Sequence, residues 1–547
     1  MPLSMSWVRR LLIPVILIST RVAGQEQSPI WLEQQTIYAA VNSSTLNCDR
    51  AAIGQQNVHR GIPPEGSSTS YYSTQQQELH PLCIAAPETA EQIAKAIITV
   101  KDQECPFAVK SGGHAAYAGA SNIQNGLVFD LRNLNSVHIS EDKSIASVGS
   151  GNRWIDVYSV LQEHKLAVAG GRIASVGVGG FLLGGGLSLY SQKYGWAVDN
   201  VRNFEVVLAD GAIVNANADT NSDLFWALRG GGSNFGIVTR FDLQTHPLDL
   251  VWGGTELVAL SDLASRQSAL NLREPFDWTL RSASNNMGRV LRQGLCFIGK
   301  CVHSRDFINH FVRMAEQPDT NAHMYTFFAW FPQLRMMGAG GSHAYLAPVA
   351  EPPAFENMTS MNTFFSTTKL RTLTDLVKEL DAFTLSGYRT YWDTLTFKVD
   401  AELISKLWDI FLEETHEIKN IPNCQPATNN QLITKRHIAL SEKDGGNPMG
   451  IKSEDGPLFL FSITVTYTDP MDDARMRNAA QNVMSRAKAL AQEMGLYHPF
   501  VFKNYANGET DVYAGYGAES RQKLREIQKK YDSAGVFSRL QPGGHKL

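Results

Sequence analysis

Three glycine clusters crowd into one stretch of this sequence: Ser111-Gly112-Gly113-His114, then Gly177-Val178-Gly179-Gly180 running on to Gly184-Gly185-Gly186, then Gly230 to Gly236. Glycine reaches positive φ without strain and lets a backbone approach a ligand closely, and successive N–H groups in such loops form a concavity for anions. A diphosphate is the natural guest. One cluster alone is better explained by a turn or by tight packing, but three at strand ends in one region weaken that explanation. The spacing excludes two common nucleotide sites. A G-x-G-x-x-G dinucleotide turn fails because its last glycine falls on Leu182 in the second cluster and on Phe235 in the third, and no G-x-x-x-x-G-K-[ST] loop is present.

The surrounding pattern predicts an α+β fold. Thr89-x-x-Gln92 is a capping-box signal, followed by Ile93, Ala94, Ile97 and Val100 on one helical face. A short strand, residues 107–110, runs directly into the first glycine cluster. Strand-like runs at 204–208 and 213–216 flank Asp210-Gly211, a hairpin signal, and such a mixture of hairpins and helices argues against a strictly alternating parallel sheet. Order is expected to begin near Leu82, after a segment rich in Gln, Ser and Gly. Beyond residue 250 the glycines thin and aromatic residues gather, as at 325–331. Alternation at 459–468 and helical patterns at 375–383 and 474–494 predict a sheet backed by helices, with one face lining a substrate cavity.

The N-terminus carries Arg9-Arg10, an apolar run at 11–18 and Val22-Ala23-Gly24, which predicts a secretory signal cleaved near Gly24. The run is shorter than the roughly 20 residues that span a bilayer. With 49 basic and 53 acidic side chains, a net charge of -4 and no basic stripe, the chain has no electrostatic footprint for nucleic acid. Among six cysteines, Cys48 with Cys105 and Cys296 with Cys301 are plausible disulfides in an oxidising compartment, and Cys83 reads best as a buried free thiol. Asn42 and Asn357 begin N-glycosylation acceptors.

The segments 107–114, 170–180 and 224–239 together resemble the berberine bridge enzyme-like family of FAD-linked oxidases. Asn504-Tyr505-Ala506, Tyr516-Gly517 and Tyr531-Asp532 resemble that family's closing segment. The resemblance implies a two-domain fold with FAD bound by residues 78–250 and 500–547, and substrate by 251–499, after a signal at 1–24 and an N-terminal segment at 25–77. It implies that His114 bonds to the 8α-methyl of the flavin. Lys110, Ser111, Gly112, Gly113, Gly119, Gly177, Gly179, Gly180, Gly185 and Ile237 are then the expected cofactor contacts. Many members carry a second flavin link through a cysteine where this chain has Ile173, so a single link is expected.

The chemistry of such a site asks for a group that removes an O–H or N–H proton while hydride leaves for flavin N5. Tyr505 is the candidate. A tyrosine titrates near pH 10, so it needs a cationic or hydrogen-bonded setting to act near neutrality. His343, Tyr391 and Trp392 are equal candidates to line the pocket. The expected activity is oxidation of a small natural-product intermediate with molecular oxygen as acceptor, a carbohydrate oxidase being the alternative and a redox-silent cyclase or binding protein a third. No G-x-S-x-G elbow supports a hydrolase.

Overall fold

The computed structural model describes residues 58–60, 71–272, 280–317 and 319–547. The signal segment, Asn42 and Cys48 lie outside them. The helix signalled by Thr89 spans Ala90–Asp102 and buries Ile93, Ala94, Ile97 and Val100. Its cap closes one residue early: the Gln92 N–H donates to Thr89 Oγ1 at 3.3 Å, while Gln92 Oε1 accepts from the Glu88 N–H at 2.7 Å. Each bond satisfies a backbone donor near a helix end that lacks an intrahelical partner.

This helix packs on a four-stranded sheet ordered Val58–Arg60, Cys83–Ala85, Leu127–Asp130, Phe107–Lys110. The last three strands run parallel. A second sheet is antiparallel, with the long strand Ile237–Pro247 at its centre between Ile145–Gly149 and Val201–Val207. The Asp210-Gly211 hairpin forms as expected between Val201–Val207 and Ile213–Asn217, with Gly211 at φ 83°. The closing segment returns to this half of the molecule: Phe537 meets Phe107 edge-on at 6.0 Å, and Leu524 and Ile527 join the core formed around the second sheet.

The third sheet has ten strands, with Val251–Leu260, Met336–Tyr345, Ala322–Phe331, Gln425–Ile433, Leu458–Tyr467 and Arg389–Lys398 adjacent in that order. Helices Ser304–Met314, Ala401–Thr415 and Asp473–Glu493 cover one face through Phe307, Phe311, Leu407, Phe411 and Val483. The opposite face looks toward the glycine loops. The α+β expectation holds.

Two local expectations fail. Order does not wait for Leu82: Tyr71 and Tyr72 are each only 6% exposed, and the helix Thr74–Gln77 follows them. Two adjacent aromatic side chains bury enough apolar surface to fix a segment whose average composition is polar. The cysteine assignments also change, because Cys83 is disulfide-bonded whereas Cys105 is a free, buried thiol. Cys296 and Cys301 are free thiols in contact, and burial together with that contact pushes Cys296 up to about 11. Among the described residues no helix is long and apolar enough to cross a membrane.

Candidate functional site

The first two glycine clusters lie back to back. A Cβ on Gly112 would sit 2.4 Å from the Gly177 nitrogen, and one on Gly177 would sit 2.2 Å from the Gly112 nitrogen, so neither position admits a side chain. Ser111 stitches the loops together: its hydroxyl donates to the Ser150 carbonyl at 2.6 Å and accepts from the Gly179 N–H at 3.2 Å. Around this seam the backbone faces open space. Gly119, at φ +86°, and Gly180 have no atom within 4 Å of where a Cβ would stand. Ser150 Oγ and His545 Nε2 are buried without hydrogen-bond partners, and His545 lies edge-on to Tyr117 beside the same loop.

The other expected contacts distribute unevenly. Gly113 and Gly185 take positive φ, at 68° and 105°, where other residues are strained. Ile237 is buried at the start of its strand, paired with Val207. Lys110 departs from expectation in one respect: its ammonium is 3.0 Å from Asp130 Oδ2 and lies over the Tyr71 ring, so its side chain is committed to a buried ion pair.

His114 stands at the end of the first turn. Its ring stacks on Tyr72, with centroids 4.4 Å apart and planes within 15°. Nε2 is 3.3 Å from Ser175 Oγ, and that hydroxyl donates to Asp381 Oδ1 at 2.5 Å. Burial pulls the imidazole down to about 4, with the Asp381 carboxylate opposing the shift. The ring is therefore neutral near pH 7.

Tyr505 stands on the closing segment. Its hydroxyl accepts from Arg172 Nη2 at 2.8 Å and from Gln431 Nε2 at 3.0 Å, and its ring stacks on Trp392 at 5.0 Å. Arg172 is buried over the Tyr325 ring and its Nη1 has no hydrogen-bond partner. Asn504 fixes the adjoining backbone: its amide donates to the Gly180 and Phe181 carbonyls, both at 3.1 Å, and its oxygen accepts from the Gly186 N–H. Arg172, Gln431, Ser175, Asp381, Tyr72 and Asn504 carried no sequence-derived role. Only Arg172, Ser175 and Asn504 stood inside a quoted segment.

Strand alternation decides among the pocket candidates. Neighbouring residues on a strand point to opposite faces, so Trp392, stacked on Tyr505, lines the site while Tyr391 does not. Tyr391 instead lines a separate cleft of about 290 Å³ with Gln481 and Met484 of the covering helix. His343 is also turned away from the glycine loops: it is fully buried, edge-on to Phe355 and 3.7 Å from Glu256 Oε2. Asn357 is exposed on the short helix Glu356–Thr359.

Residues 81–217 match the family model described as an FAD binding domain. An FAD-dependent monooxygenase of Cochliobolus heterostrophus is 34% identical over 504 residues, covering 88% of each chain. Another from Fusarium proliferatum is 32% identical and covers 100% of this chain and 99% of its own. Among solved structures, 6-hydroxy-D-nicotine oxidase of Arthrobacter nicotinovorans superposes with a TM-score of 0.67 at 19% identity, covering 89% of this chain and 97% of the other. A berberine bridge enzyme variant superposes at 0.64 and 17%, covering 88% and 95%. The chain belongs to the berberine bridge enzyme-like family of FAD-linked oxidoreductases. A glucooligosaccharide oxidase of Acremonium strictum, described as carrying 6-S-cysteinyl, 8α-N1-histidyl FAD, shares the fold at 17% identity with a TM-score of 0.64, covering 88% and 96%.

The residues present fit the family's cofactor. The glycine seam leaves a side-chain-free cradle, and the orphaned Ser150 hydroxyl and His545 nitrogen offer polar contacts to a ligand beside it. For a berberine bridge enzyme-like protein the absence of a cysteine at Ile173 is a departure with a chemical consequence, since an aliphatic side chain offers no nucleophile.

Proposed function

We propose that this chain is a secreted oxidase that holds FAD covalently on His114 alone and takes hydride from a flat, weakly polar natural-product intermediate. In this reading residues 78–250 and 500–547 hold the cofactor and 251–499 hold the substrate. The observation that carries it is a continuous line of rings. His114 stacks on Tyr72, Tyr72 lies 6.5 Å from Trp392, and Trp392 stacks on Tyr505. The attachment residue and the proton acceptor thus share one wall.

Bound FAD supplies a hydride acceptor. The protein's own residues do the rest. Arg172 and Gln431 hold the Tyr505 hydroxyl so that its oxygen receives the substrate proton, while Trp392 and Tyr325 supply apolar faces that orient a planar substrate. The aromatic wall and the missing second link favour such a substrate over an oligosaccharide. A secreted enzyme has no steady supply of nicotinamide, so dissolved oxygen is the available acceptor.

The test is anaerobic bleaching of the yellow protein by a panel of aromatic alcohols, aromatic amines and oligosaccharides, followed by aerobic turnover with the best substrate under isotopically heavy oxygen. One hydrogen peroxide per product with no heavy oxygen in the product is expected. Label in the product would replace the oxidase reading with a monooxygenase one, the activity for which the fungal relatives are named. Product without oxygen uptake or bleaching would point to a cyclase. A single link makes its own prediction: digestion should yield flavin on one peptide, the one containing His114. FAD on any cysteine peptide would overturn it.

A further inference from the structure

Ser175 and Asp381 lie 206 positions apart in sequence, yet Asp381 Oδ1 accepts both the Ser175 hydroxyl at 2.5 Å and the Ser175 N–H at 3.0 Å. Asp381 is the penultimate residue of the helix Leu373–Ala382, an end where the helix dipole disfavours a carboxylate. Its carboxylate is engaged by Ser175 twice over. What it faces, through one hydroxyl, is Nε2 of His114.

We propose that Asp381, acting through the Ser175 hydroxyl, accepts the Nε2 proton of His114 as Nδ1 forms the bond to the flavin's 8-methyl carbon. The inference rests on the covalent reading above. With Nε2 turned to Ser175, Nδ1 is the nitrogen left to attack. In the attachment the imidazole loses its N–H proton, the methyl group loses one hydrogen and an N–C bond forms. The electron pair released passes through the flavin ring to molecular oxygen, which leaves with two hydrogens as hydrogen peroxide. Alkylation of a neutral imidazole at Nδ1 creates a cation unless Nε2 gives up its proton, and a half-buried, Tyr72-stacked ring is a poor place for an unpaired charge. The hydroxyl passes the proton on and the carboxylate receives it. Ser175 and Asp381 are positioning residues here, since the bond is made by His114.

The test uses the full chain carrying Ser175→Ala, Ser175→Thr or Asp381→Asn. Total flavin, acid-stable flavin and the rate at which added FAD becomes acid-stable in air are measured. Ser175→Ala and Asp381→Asn are expected to bind FAD at the parental ratio but to link it about 10²-fold more slowly or worse, the scale of a lost proton-transfer step. Ser175→Thr, which keeps the hydroxyl, should link at nearly the parental rate. Linking at the parental rate in Ser175→Ala or Asp381→Asn would overturn the relay and leave the covalent reading intact. Loss of FAD binding in both would also overturn it, because the pair would then be a structural tether. Acid-labile FAD in the parent protein would instead remove the covalent reading itself.

Discussion

His114→Ala is expected to yield a protein that still binds FAD but surrenders all of it to the supernatant on acid precipitation, whereas the parent pellet stays yellow. The reasoning begins with the strand Phe107–Lys110, which ends in a glycine turn and delivers one imidazole to the open side of the cradle. Burial keeps that ring neutral, so a nitrogen lone pair is available as nucleophile without prior deprotonation. The cradle itself does not depend on His114: the Gly112–Gly177 contact and the Ser111 bridges persist in the variant. Binding and linkage should therefore separate. Full release of FAD from the unmutated protein would sink the assignment, and so would acid-stable flavin in His114→Ala.

How much of this site could be read from the chain depends on the range of the interaction. The glycine turn, the strand before it and the Asp210-Gly211 hairpin are specified by residues a few positions apart, and they form where local chemistry placed them. Arg172 with Tyr505 is a contact across 333 positions, and Ser175 with Asp381 across 206. No periodicity announces such pairs. The face of a strand is a second kind of hidden information. Tyr391 and Trp392 are neighbours of similar character, and only the pairing of Trp392 with Thr464 decides which of them meets Tyr505. A shift of one residue would exchange them. Cys83 illustrates the same limit, because six cysteines permit fifteen full connectivities and composition prefers none.

Tyr505→Phe is expected to slow anaerobic flavin reduction by roughly 10²-fold or more while leaving reoxidation by oxygen nearly unchanged, since only the first half-reaction requires a proton acceptor. The substitution removes one oxygen and keeps the ring stacked on Trp392 and edge-on to Phe502 at 5.0 Å, so the pocket's shape should survive. What is lost is the atom on which Arg172 and Gln431 converge. Arg172→Met should slow the same half-reaction, though less than Tyr505→Phe, because Gln431 still holds the hydroxyl when one of its two donors is lost. Anaerobic stopped-flow reduction is the measurement: reduction at the parental rate in Tyr505→Phe would take the proton-accepting role away from Tyr505.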